Sequence, residues 1–290
     1  MRRRIFVGSG MVAAMPLFAS YTVTQARNPG KVAHTTHAYG QDPSQQLDIY
    51  LPKGNCFAWV LMVHGGGWRR GDKAMPRTVD NKVARWSSKG VAVVSINYRM
   101  LPQYSVEEQI ADVRSAILFL QRKSSTLGLV GPMVLMGHSA GAHLAAMVAS
   151  QMQRTRDEGI APWAATVLLD SGALDVPKTM QQRTRLPLYK DAFGSQSLRW
   201  TELSPTHQIQ PGVGPTLVVY STTRRDDIEQ QSGVYAQRLT AAGGRAVQML
   251  GVQLEHGQVN EQLGLENDYT LAVEQFLSEV HPSLNGVFKR

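Results

Sequence analysis

At 290 residues, 43% of them hydrophobic and 18% charged, the chain has globular composition and enough length for a large core, which excludes a disordered or fibrous protein. Its single cysteine, Cys56, excludes an intramolecular disulfide and a thiolate cluster for a metal. The formal charge of +8 is scattered among acidic residues with no long basic run or interleaved aromatics, so no nucleic-acid partner is expected.

Residues 1–26 open with Arg2, Arg3 and Arg4, continue through an apolar stretch over 5–19 and end on the small residues Thr24 and Ala26. This is the layout of an export signal, and Arg3-Arg4-Ile5-Phe6-Val7 resembles a twin-arginine motif. The apolar stretch is shorter than the roughly 20 residues a spanning helix needs, and Gly8, Gly10 and Pro16 interrupt it. The expectation is a signal peptide at 1–26, periplasmic or secreted localisation and no stable membrane span. Residues 27–290 hold no repeat, low-complexity tract or long linker and read as a single domain.

"HTTHAYG" and "QQLDIYLP" predict an antiparallel strand pair turned at Gln41-Asp42-Pro43-Ser44. Short, β-rich apolar runs then follow at 57–63, 91–96, 133–137, 165–170, 216–221 and 245–250. Helical periodicity separates them at 77–88, 105–123, 140–153 and 229–242, and recurs at 268–280. In the clearest helix, Ile110, Val113, Ile117 and Leu120 recur at steps of three and four, behind a capping box of Ser105 and Glu108. Strands apolar throughout, alternating with helices, predict an α/β fold: a mostly parallel sheet flanked by helices on both faces. The stretch 172–215 is long enough for a small cap between the sixth and seventh strands, and mixes Leu186, Leu188, Tyr189, Phe193 and Trp200 with basic residues.

In such a sheet the chemistry gathers where loops leave the carboxyl ends of the strands. Gly137-His138-Ser139-Ala140-Gly141 is a G-x-S-x-G run between a strand and a small-residue helix, the setting of a strained turn that exposes a nucleophilic serine. Ser139 needs a base, itself oriented by a carboxylate. His256, in a glycine-containing loop after the last strand, fits the base better than His34, His37, His64, His138, His143, His207 or His281. For the acid, the turn after 216–221 offers Asp226 and Asp227, flanked by Arg224 and Arg225. Asp227 is preferred, Asp226 is the alternative, and Asp175 is the outsider. Gly65, Gly66 and Gly67 lack a Cβ, so the chain after the first parallel strand can turn its amides toward a reacting oxygen. The second donor is the amide of Ala140, and His64 is expected to hydrogen-bond beneath the loop rather than act as a base. "HGGGW" has no G-K-[ST] continuation, so a nucleotide loop is not expected.

"HGGGW", "GHSAG", "TTRRDD" and "LEHG" in this order resemble the α/β-hydrolase superfamily, and within it HGGG-type carboxylesterases. "HGGGWRRGDK" followed by "VAVVSINYRMLPQ" is similar to esterases related to feruloyl esterases and arylformamidases, over roughly residues 35–281. The resemblance implies a cofactor-free, metal-free hydrolase with Ser139, His256 and an aspartate as triad and Gly66, Gly67 and Ala140 as oxyanion amides. The paired aspartates and preceding arginines depart from the commoner G-x-x-D form of this turn. The function implied is hydrolysis of small or aromatic carboxylic esters through an acyl-serine. An amidase, arylformamidase or peptidase with the same triad is the alternative, and a non-catalytic binding protein on the same fold is the reading from another class.

Overall fold

The computed structural model describes residues 14–16, 34–182, 187–224, 226–245 and 247–289. The expected export signal, apart from 14–16, lies outside the described residues, as do Leu186 and Arg225. Among the described residues the strands are β1 (Ala14–Pro16), β2 (His34–Ala38), β3 (Gln46–Tyr50), β4 (Ala58–Val63), β5 (Val91–Ile96), β6 (Met133–His138), β7 (Ala165–Leu169), β8 (Thr216–Ser221) and β9 (Val247–Val252). The helices are α1 (Pro76–Ser87), α2 (Val106–Lys123), α3 (Ala140–Ser150), α4 (Met152–Asp157), α5 (Val176–Gln181), α6 (Pro187–Phe193), α7 (Ser197–Glu202), α8 (Ile228–Ala241), α9 (His256–Glu261), α10 (Asp268–Val280) and α11 (Pro282–Phe288). None of them is long and apolar enough to cross a membrane.

The strands form one sheet in the order β1-β9-β8-β7-β6-β4-β5-β3-β2. From β1 to β5 every neighbouring pair is parallel; β3 joins β5, and β2 joins β3, antiparallel. Every residue of β4, β5, β6 and β8 is buried, as strands covered on both faces require. Alternation sends Trp59, Leu61 and Val63 to the face packed by α2, α3 and α8, and Ala58, Val60 and Met62 to the face packed by α1, α10 and α11. Each large side chain so buried stabilises the fold by roughly 1.5–3 kcal/mol.

Local signals set most element ends. The capping box of α2 forms as expected: Glu108 N–H donates to Ser105 Oγ at 3.3 Å and Ser105 N–H to the Glu108 carboxylate at 2.8 Å. The helix expected at 140–153 instead breaks at Gln151 (φ −94°, ψ 53°), and a separate helix starts at Met152, with Thr155 donating its hydroxyl back to the Val148 carbonyl at 3.0 Å. The last strand runs over Val247–Val252, two residues later than expected, since Gly244 N–H closes the end of α8 on the Leu239 carbonyl.

One topological feature positions the site. The chain leaves β4 for β5 on one side, then returns to place β6 on the other, pairing Val63 with Gly137. The loops after β4 and β6 therefore emerge side by side at a switch in strand order, where such sheets form their crevice. The described residues of 172–215 form the expected small cap, built of α5, α6, α7 and a 3₁₀ turn at Pro205–His207. Salt bridges from Asp191 to Arg69 (3.0 Å) and from Arg199 to Glu107 (2.7 Å) attach it to the body.

Candidate active site

Ser139 stands between β6 and α3 with φ 56° and ψ −120°, a left-handed backbone that a non-glycine residue adopts only under constraint. Its N–H donates to the Leu169 carbonyl at 2.8 Å, which anchors the strained residue to β7. The flanking glycines answer a steric demand. A Cβ on Gly137 would overlap the Gly141 carbonyl, and one on Gly141 would overlap the carbonyl oxygens of Val63 and His64. The turn can thus sit directly against β4 only with both positions bare. Ala140 is the first residue of α3, so its N–H has no intrahelical acceptor, and the residue lines the same cleft as Ser139.

Across that cleft the loop after β4 bends through Gly66 (φ 126°), Gly67 (φ 63°) and Trp68 (φ 60°). Trp68 fixes the bend: its carbonyl accepts from Leu101 N–H and Gln109 Nε2, both at 2.9 Å, and its indole N–H donates to His143 Nδ1 at 3.2 Å. His143 Nε2–H in turn donates to the Leu203 carbonyl, so the ring is neutral, and burial lowers its pKa to about 4. His64 lies beneath the loop as expected, stacked on Tyr98, with Nδ1–H donating to the Gly65 carbonyl at 2.7 Å.

His256 is the first residue of α9 rather than part of a loop, presented by a capping box between Glu255 and Gln258. Its Nε2 lies 2.9 Å from Ser139 Oγ, and its Nδ1 lies 2.6 Å from a carboxylate oxygen. That carboxylate belongs to Asp170, not to Asp227. Asp227 sits at the start of α8, where its carboxylate accepts from Gln231 Nε2 at 2.8 Å and pairs with Lys178 at 3.3 Å. Asp226 is bound to Arg224, and Asp175 caps α5 by accepting from Lys178 N–H. The reason is geometric. Asp170 directly follows β7 with φ 54°, and this turn directs its side chain toward the neighbouring loops: Oδ1 accepts from Ser221 N–H at 2.7 Å and Oδ2 from His256. Counting along the end of β8, Ser221-Thr222-Thr223-Arg224, the place that the G-x-x-D form gives an aspartate holds an arginine. The sequence did carry a signal for Asp170. It is a carboxylate ending a wholly apolar run, "ATVLLD", on the strand beside the serine's own.

Burial would raise the pKa of Asp170, but the hydrogen bond from His256, the charge of Arg224 and the Ser221 amide outweigh it and hold the carboxyl below its usual range. His138, whose ring lies 4.7 Å from that of His256, is pushed down to about 3, chiefly by burial. It therefore stays neutral and donates Nε2–H to the His256 carbonyl at 2.9 Å. From behind, Lys82 on α1 donates to the Asn260 carbonyl at 2.6 Å, and Asn81 donates to that of Glu261, satisfying the end of the helix that begins with His256. The cleft in front of Ser139 measures about 1320 Å³ and is roofed on one side by Leu188 and Tyr189 of α6. Among the described residues, no group of three or more His, Cys, Asp or Glu is arranged to hold a metal ion.

A model of the BD-FAE family matches residues 47–223, more than half of the chain. A kynurenine formamidase of Salmo salar is 27% identical over 243 residues, covering 80% of this chain and 77% of the relative. An isoprenylcysteine alpha-carbonyl methylesterase of Arabidopsis thaliana is 25% identical over 269 residues, 85% of this chain, and the match takes in 62% of that longer relative. The solved structure of a thermophilic esterase from Thermogutta terrifontis superposes with a TM-score of 0.67 at 20% identity, over 88% of this chain and 95% of its own. On this match, and with a fold shared with solved α/β-hydrolases, the chain belongs to the BD-FAE family.

Proposed function

We propose that the protein is a serine hydrolase of carboxylic esters, acting on small or aromatic substrates through an acyl-serine. One observation carries the reading: Ser139 Oγ, the His256 imidazole and the Asp170 carboxylate are joined by hydrogen bonds of 2.9 and 2.6 Å at the floor of an open cleft. Ser139 Oγ attacks the ester carbonyl carbon and its proton passes to His256 Nε2. The carbonyl oxygen becomes an anion that the amides of Gly66, Gly67 and Ala140 stabilise, and a loop bent before substrate arrives need not reorganise as that charge forms. His256 then returns the proton to the departing alcohol, leaving an ester on Ser139. Water, deprotonated by the same imidazole, releases the acid and restores Ser139. Asp170 holds the tautomer with Nδ1–H toward itself and steadies the imidazolium in both steps. Leu188 and Tyr189 of the cap, which line the cleft, suit short acyl groups or aromatic alcohols better than long lipids.

A formamidase or amidase reading draws on the kynurenine formamidase relative and uses the same residues. Acetyl, butyryl and feruloyl esters assayed beside an aryl formamide separate the two by leaving group. Fluorophosphonate should label the wild type and not Ser139→Ala; absence of an adduct, or an adduct surviving the substitution, contradicts both. Export through residues 1–26 belongs to the same proposal, and recovery of a tagged chain in the cytoplasm with Met1 retained would contradict it.

A further inference from the structure

Arg224 follows β8 and folds its guanidinium back into the relay. Its Nη1 lies 3.0 Å from Asp170 Oδ2, the oxygen that also accepts from His256, and 3.2 Å from His256 Nδ1. Both nitrogens carry protons when Asp170 accepts from each, so the guanidinium and the imidazole share one acceptor and present like partial charges to one another. We propose that Arg224 is a positioning residue that sets the pH range of the relay, making His256 harder to protonate and so extending hydrolysis toward acid pH. The proposal rests on the serine-ester reading above.

The surroundings of His256 support this balance. A carboxylate alone beside an imidazole favours the imidazolium, and a free enzyme with a protonated base is idle. Here the Asp170 side chain is wholly buried and the Arg224 side chain only 17% exposed, so their charges are poorly screened by solvent. The other groups around the imidazole do not replace the arginine. His138 from β6 is neutral, and Asp226 is paired with Arg224 itself. Glu255 is turned onto the backbone of α9, and Lys82 from α1 reaches only the far end of that helix. Tyr189 of the cap approaches over Gly172 with an uncharged hydroxyl. Without the guanidinium, two carboxylates, Asp170 and Asp226, would remain near the imidazole, and both favour its protonated form.

The test is the acid limb of the kcat/KM–pH profile with 4-nitrophenyl acetate, together with an NMR titration of the His256 ring in a Ser139→Ala background, which needs no activity. Arg224→Gln should move the limb and the ring titration toward alkaline pH by about one unit, and Arg224→Lys should largely restore both. Asp226→Asn, which frees the guanidinium from its counter-charge, should move them the opposite way, and covers the case in which Arg224→Gln does not fold. An unmoved titration in folded Arg224→Gln, or an equal alkaline shift in Arg224→Lys, overturns the proposal. Loss of hydrolysis in the wild type would instead overturn the ester reading, while the ring titration still judges Arg224.

Discussion

Replacing Asp170 by asparagine exchanges one carboxylate oxygen for an NH2 at a place that offers three donors: His256 Nδ1–H, Arg224 Nη1–H and Ser221 N–H. The amide has one acceptor oxygen to give, so its NH2 must face one of those donors. With the NH2 in the place of Oδ2, a ring that keeps its tautomer leaves Nδ1–H without an acceptor. If the ring instead turns Nδ1 into an acceptor for the new NH2, Nε2 carries the proton and can no longer take one from Ser139. The second outcome removes the base; the first, and the remaining case in which the NH2 is turned onto Ser221 N–H, strip the imidazolium of its counter-charge. The wrong tautomer alone costs on the order of 10⁴-fold in kcat, about 5 kcal/mol of barrier. Asp227→Asn touches only the contacts to Gln231 and Lys178, and should change kcat by less than about fivefold, the size of a partly exposed ion pair. Steady-state hydrolysis of 4-nitrophenyl acetate at neutral pH measures both, with circular dichroism confirming that each variant is folded. Turnover that survives in Asp170→Asn and collapses in Asp227→Asn or Asp226→Asn would refute the reasoning.

Three further outcomes follow from the same contacts. Burial lowers the pKa of Lys82 to about 7, whereas an unfolded lysine titrates near roughly 10.4. Between those values the unfolded chain binds the extra proton, so stability should rise with pH by about 1 kcal/mol per unit; Lys82→Met should flatten that slope in urea unfolding curves. Asp170 behaves as a depressed carboxylate. Its contribution is complete above the unfolded value of about 3.9 and is lost as pH falls through the lower folded one, so Asp170→Asn should blunt the acid unfolding of the wild type. Gly141→Ala drives a methyl group into the carbonyls of Val63 and His64, the residues that lead into the glycine loop, and should abolish fluorophosphonate labelling even where thermal melts still show a cooperative fold.

Much of this protein was legible along the chain because its determinants are local. Apolar runs of strand length, the Ser105–Glu108 box and the glycines around Ser139 depend on neighbours a few residues away, and they placed the sheet, the helix α2 and the serine turn. His256 was singled out by its position after the last strand, and the structure sets its Nε2 2.9 Å from Ser139 Oγ. The carboxylate that meets it was not, because the choice among Asp170, Asp175, Asp226 and Asp227 depends on where side chains point once separate strands lie side by side. Asp170 read as the tail of a buried strand, and only the left-handed turn at φ 54° swings its carboxylate under the loop of β8 and onto the imidazole. The same packing gave Arg224 its place beside them. Sequence order thus carried the fold class and the candidate serine, histidine and glycine loop, whereas only tertiary packing decided which carboxylate meets the imidazole, because that contact is a matter of direction and distance rather than of residue type.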